Sequence, residues 1–189
     1  MKNLIKSFIK RIRHLFLINL TIENERQKLL MGKVLSNQIK IKALEIDSFK
    51  DVEFSIFSQF GDDGIIQWLI NNLDIPNKTF IEFGVEDYSE SNTRFLMMSN
   101  NWSGFVMDGS KSNINRLRTS YYYWKYDLNS KAVFINKDNI NKLIEEEKFN
   151  KDLGLLHIDL DGIDYYIWKA INVIEPIIVI VEYNSIFGK

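Results

Sequence analysis

The period of the apolar positions changes part-way along this chain. In residues 1–20, MKNLIKSFIKRIRHLFLINL, the apolar residues Leu4, Ile5, Phe8, Ile9, Ile12, Leu15 and Phe16 recur at three-to-four spacing, which predicts a helix with one apolar stripe. Residues 21–47 keep a helical idiom, with apolar positions among Lys, Glu and Gln and only Gly32 interrupting, so residues 1–50 read as a helical N-terminal extension. A second helix is predicted in FSQFGDDGIIQWLINNL, capped by Asp62 or Asp63 and buried along Ile65, Ile66, Leu69, Ile70 and Leu73. Pro76 ends it, because proline cannot continue a helix.

From there short β-rich runs alternate with helical stretches. The runs are TFIEFGV (79–85), SGFVMDGS (103–110), KAVFIN (131–136), LGLLHIDL (153–160) and PIIVIVEYN (176–184); helices are expected over 93–100, 113–118, 139–148 and 165–172. Several runs are apolar at consecutive positions, the pattern of strands covered on both faces. Residues 51–189 are therefore expected to form an α/β, Rossmann-like doubly wound domain with a mostly parallel sheet. Ligands of such sheets bind at the carboxyl ends of the strands, where this chain collects acidic and small residues.

Composition narrows the function classes. The 189 residues are 46% hydrophobic and 26% charged, with a net charge of -1. The main body carries no basic stripe interleaved with aromatics, so a nucleic-acid partner is not expected. Zero cysteines exclude disulfides, thiolate metal sites and a cysteine nucleophile, which suits a cytoplasmic protein. No stretch approaches the roughly 18 consecutive apolar residues of a membrane span. Charge is nonetheless uneven, because residues 1–20 hold Lys2, Lys6, Lys10, Arg11 and Arg13 and no acid. A basic amphipathic helix fits peripheral contact with a membrane surface, and equally a helix docked on its own domain or on a second subunit.

The candidate chemistry lies at the predicted strand ends. Glu82 and Gly84 finish the first run and Asp108 the second, 26 residues beyond Glu82, where a carboxylate can accept both hydroxyls of a ribose. A dinucleotide is disfavoured: G-x-G-x-x-G is absent, and Glu86, Asp87 and Glu90 crowd the place of a pyrophosphate. An acid-rich loop suits a ligand with a positive centre. Taken in order, TFIEFGVEDYSESNTRFL, WSGFVMDGS, LLHIDLDGIDYYIWKAI and IIVIVEYNSIFG resemble class I S-adenosylmethionine-dependent methyltransferases, and more narrowly the FkbM-like group of bacterial surface-glycan and natural-product pathways.

The resemblance covers Ser58 to the end and implies S-adenosyl-L-methionine as cofactor and a sugar hydroxyl on a glycan or glycolipid as acceptor. It assigns Glu82 and Gly84 to the cofactor loop, Asp108 to the ribose, Asp138 or Asn139 to the neighbourhood of the adenine, and Asp159 to the acid after the fourth strand, the candidate catalytic base for the acceptor hydroxyl or a ligand of a Mg or Mn ion that positions it, with Asp161 or Glu182 helping. Ser58–Gly64 matches a segment that can lie against the cofactor pocket. Such a sheet has seven strands ordered 3-2-1-4-5-7-6, whereas this chain supplies five runs. Order 3-2-1-4-5 is therefore expected, with the last two strands missing and the exposed edge open to cover by another chain, as in a homo-oligomer.

Two other chemistries use an Asp-x-Asp after a strand. A dehalogenase-type phosphatase opens its fold with this motif, whereas only 25 residues follow Asp164 here. In a metal-dependent glycosyltransferase the pair, Asp159 and Asp161, holds a divalent cation on a nucleotide-sugar diphosphate. That reading stands as the alternative, beside a non-catalytic remnant of the methyltransferase fold. Period-two alternation puts Leu155, His157 and Asp159 on one side of the strand and Leu156, Ile158 and Leu160 on the other. His157 is thus expected as a satisfied core residue below Asp159, and Asp164 as the cap of the following helix.

Overall fold

The structure, a computed structural model, describes residues 2–42, 46–149 and 151–183. Helix α1 (Lys2–Lys42) is followed by α2 (Asp62–Asn72), and then strand and helix alternate. In chain order these are β1 (Thr79–Phe83), α3 (Arg94–Asn100), β2 (Ser103–Asp108), α4 (Lys111–Arg118), β3 (Leu128–Ala132), α5 (Ile140–Glu146), β4 (Leu155–Ile158), α6 (Asp164–Ala170) and β5 (Ile178–Val181). The five strands form one all-parallel sheet in the order β3-β2-β1-β4-β5, the arrangement expected of a Rossmann-like α/β fold.

Both faces of the sheet are covered, as the consecutive apolar runs require. Phe80, Val106 and Leu155 point to one face and pack with Ile66 of α2, Phe95 to Met98 of α3, and Ile114 and Leu117 of α4. Ile81, Phe83, Phe105, Met107, Leu156 and Ile158 point to the other and pack with Ile140 and Ile144 of α5 and Ile167 of α6. The alternation expected around His157 holds, since Leu155 and Leu156 fall in opposite cores.

Three local expectations are corrected. The third strand lies at 128–132 and not 131–136, because its sequence LNSKA pairs with β2 alone and alternates between buried and exposed positions. An edge strand does not need the continuous apolar run that VFI displays. Asn136 and Asn139 instead fold residues 134–139 into a loop, with Asn139 Nδ2 donating to the Phe134 carbonyl at 2.9 Å and Asn136 N to Asn139 Oδ1 at 2.9 Å. Helix α2 begins after Gly61, at φ 101°, with no side-chain cap. Asp63 turns back instead, and its Oδ2 accepts the backbone N–H groups of Ile56, Phe57 and Ser58 at 2.7, 2.7 and 2.9 Å. Asp164 likewise is the first residue of α6 and not its cap; its carboxylate accepts Leu160 N and Gly162 N, bracing the turn before the helix.

Helix α1 docks on α2 and α3 through its second half. Gly32 lies so close to the Phe95 ring that a Cβ there would meet it at 2.5 Å, which explains the one glycine in this helix. Ser36 Oγ donates to Gln67 Oε1 at 2.7 Å, and Glu25 accepts both Arg94 Nη2 at 2.7 Å and the Tyr121 hydroxyl at 2.6 Å. Among the described residues no helix is long and apolar enough to cross a membrane.

Candidate functional site

The parallel register of β1 and β4 sets Glu82 directly opposite His157. Both side chains point beneath the start of α3 and both are buried. His157 Nδ1 lies 2.8 Å from Glu82 Oε1, and its Nε2 lies 3.2 Å from Asn92 Nδ2. Glu82 also accepts Ser91 Oγ at 2.6 Å, Asn92 N at 3.1 Å and the Thr93 hydroxyl. Burial would push the Glu82 carboxyl up, but the hydrogen bond and charge of His157, with Ser91 and Thr93, outweigh it and hold it below the ordinary value. Burial likewise opposes charge on His157, and Glu82 outweighs that, so the imidazole sits above its ordinary value. Glu82 borders a cleft, yet both its oxygens serve the protein. Its place in the structure is that of a staple between two strands and the α3 start, with His157 satisfied as expected.

Gly84, one residue past the end of β1, has φ 75°, and a Cβ there would fall 1.7 Å from the Asp159 carbonyl. What comes close to this glycine is thus the backbone that ends β4, which brings Asp159 next to the β1 loop. The Asp108 carboxylate at the end of β2 organises the same loop: Oδ2 accepts Glu86 N at 2.9 Å and Oδ1 accepts Ser110 N at 2.7 Å. Oδ1 also accepts Asn113 Nδ2 at 3.3 Å, so the spare acceptor capacity of this carboxylate lies on Oδ2.

Asp159, Asp161 and Glu182 converge, with one carboxylate oxygen from each within 4.8 Å of the others. Asp161 reaches this point because it sits at φ 53° in the turn that Asp164 braces, and Glu182 because its N–H continues the β5 ladder onto the Ile158 carbonyl. Partial burial and the Glu182 charge push the half-buried Asp159 carboxyl up to about 7, against the pull of His157. Three hard oxygen donors at this spacing fit a Mg- or Mn-type cation, and the donor chemistry argues against a soft metal.

Two adjoining clefts meet at Gly84 and Asp159. The larger, about 840 Å³, runs along the ends of β2, β1 and β4 and is lined by Glu86, Glu90, Asp108, Asp159, Asp161 and Glu182, with Asn113, Phe134 and Ile135. No Lys or Arg lines it among the described residues. The smaller, about 300 Å³, has His157 and Asn92 in its wall and Gln59, Phe60 and Asp62 along its side, so the Ser58–Gly64 segment does lie against the site. Asp138 and Asn139 do not line either cleft; they hold the loop that carries Phe134 and Ile135 to it. Glu90 was read from the sequence among the acids of this loop, whereas Phe134 was not singled out. For Phe134 the strand assignment hid the signal, since a phenylalanine 82% exposed just past a strand end is a rim residue and not a core one. Comparisons with protein-family models, curated proteins and solved structures found no match for this chain.

Proposed function

We propose that this chain is an S-adenosylmethionine-dependent O-methyltransferase domain. The observation that carries the reading is the charge of the larger cleft: six carboxylates and no described Lys or Arg favour a cationic ligand and repel a bare diphosphate. Its volume lies in the usual range for small-molecule sites. The cofactor would supply an electrophilic methyl group on a positively charged sulfur. Asp108 Oδ2 offers an acceptor for a ribose hydroxyl, the exposed Phe134 ring an apolar face for the purine, and Glu86 and Glu90 a negative wall. Asp159, whose carboxyl is pushed up to about 7, is matched to take the acceptor hydroxyl's proton as its oxygen attacks. A divalent cation shared by Asp159, Asp161 and Glu182 would replace that proton transfer: it would hold Asp159 ionised as a ligand, and its chemistry is to acidify and orient the hydroxyl itself. A sugar hydroxyl of a surface glycan or glycolipid is the acceptor that the sequence resemblance favours.

The Asp159–Asp161 spacing within the triad favours one second reading, a metal-dependent glycosyltransferase. Calorimetry separates the two. Saturable binding of S-adenosylhomocysteine, weakened at least about tenfold by Asp108→Ala through loss of charge-assisted hydrogen bonds, is the expected result. No heat at millimolar ligand, or binding indifferent to Asp108→Ala, counts against the methyltransferase. Manganese-dependent binding of a nucleoside diphosphate would move the assignment to glycosyl transfer.

A further inference from the structure

The catalytic reading leaves the first half of α1 unused. Among the described side chains of this helix, those before Ile22 are all exposed, and Glu25 pairs with Arg94 of the domain. Lys6, Lys10, Arg11 and Arg13 are exposed, and so are Phe16 (66%), Leu17, Ile18 and Leu20, more than a full turn of large apolar side chains against water. Through residue 22 the sequence has five basic residues and no acid. Beside the point where α1 reaches the domain, the loop after α4 adds a second exposed group. Tyr121 donates to Glu25, Lys125 Nζ lies 4.9 Å from the Tyr121 ring and 5.5 Å from the Trp124 ring, and Trp124 is 78% exposed.

We infer that the first half of α1, together with Trp124 and Lys125, is a docking surface for an anionic lipid bilayer. The helix lies in the headgroup plane: five charges forbid crossing, whereas lysine and arginine stems reach the phosphates as the apolar side chains enter the acyl boundary. Tryptophan with an adjacent lysine is the pairing that an interface of this polarity retains. A second copy of the chain is the rival occupant, since Leu30, Met31, Val34 and Ile41 extend the exposed apolar surface. Charge decides against it. Two uniformly cationic segments repel each other, whereas each basic residue near an anionic surface strengthens binding about fivefold. The inference does not depend on the methyltransferase reading.

The test is co-sedimentation of the full chain with vesicles of mixed phosphatidylglycerol and phosphatidylcholine, beside vesicles of phosphatidylcholine alone. Binding to the anionic vesicles is expected to fall steeply with added salt. The combined variant Lys6→Glu, Lys10→Glu, Arg11→Glu and Arg13→Glu is expected to lose at least about 600-fold in affinity. Phe16→Ser with Leu20→Ser is expected to weaken it separately, and Trp124→Phe to remove the blue shift that vesicles induce in tryptophan emission. All these positions are exposed, so an unchanged melting temperature certifies each variant. Equal binding by wild type and the charge-reversed variant overturns the inference, as does absence of binding to anionic vesicles. A dimer in light scattering that Phe16→Ser with Leu20→Ser dissociates, without vesicle binding, gives the surface to a second copy instead.

Discussion

Asp159 gathers three influences on one carboxyl: partial burial, the Glu182 charge a few ångströms away, and the His157 imidazole behind it. The first two win and push it up to about 7 from an ordinary 3.8, so the native state holds a proton that the unfolded chain releases. Stability from that proton is full below about pH 4 and lost as pH rises toward 7. His157, raised above 6.5 in spite of its burial, acts in the same direction at higher pH, while Glu82, held low, loses its contribution only on acidification. Comparison with Asp159→Asn isolates the aspartate. The melting temperature of the wild type is expected to fall more steeply between pH 5 and 7.5 than that of the variant; parallel curves would refute the shifted carboxyl. Alternation along LLHIDLDGID was enough to find this residue, because position along a strand fixes the side it faces. It was not enough for Glu82, whose partner His157 lies 75 residues away and becomes a neighbour only through the register of two strands.

At the scale of elements, the interface between α1 and the sheet domain turns on one buried cation. Arg94 is 2% exposed, held between the rings of Phe57 and Tyr122 at 4.1 and 4.3 Å, and its charge is answered by Glu25 of α1. Removing one member of a buried ion pair strands the other, at a cost of about 3 kcal/mol. Glu25→Ala is therefore expected to destabilise the fold by about that much in denaturant unfolding and to speed amide exchange in residues 22–40. Exchange unchanged in α1 would mean that apolar packing around Gly32 and Leu29 holds the helix unaided. The helical character of this segment was legible from spacing, but its docking was not. Glu25, Gly32 and Ser36 meet Arg94, Phe95 and Gln67 through tertiary contacts for which periodicity carries no mark. Alternation of strand and helix made the parallel sheet legible, whereas the strand order was expected only from the family resemblance. The edge strand β3 was misplaced because Leu128 and Ser130 are buried alternately beneath a polar sequence.

Across the whole molecule, a net charge of -1 conceals two opposed regions: a basic first half of α1 and an acid-lined cleft. Mutual repulsion among Asp159, Asp161 and Glu182 is a standing cost of the folded state, and a divalent cation that binds all three reverses its sign. Binding to the native state alone raises stability by about 2.7 kcal/mol at a hundredfold excess over Kd. Protonation of Asp159 competes with the cation, so manganese is expected to raise the melting temperature at pH 7.5 and to do so much less at pH 5. Glu182→Gln with Asp161→Asn removes two of the three charged ligands and should abolish the gain at both pH values, while raising the metal-free melting temperature by relieving repulsion. That pair of opposite changes distinguishes a cation site from a merely strained acidic rim. A rim without a site would show the stabilisation by substitution and no response to manganese at either pH.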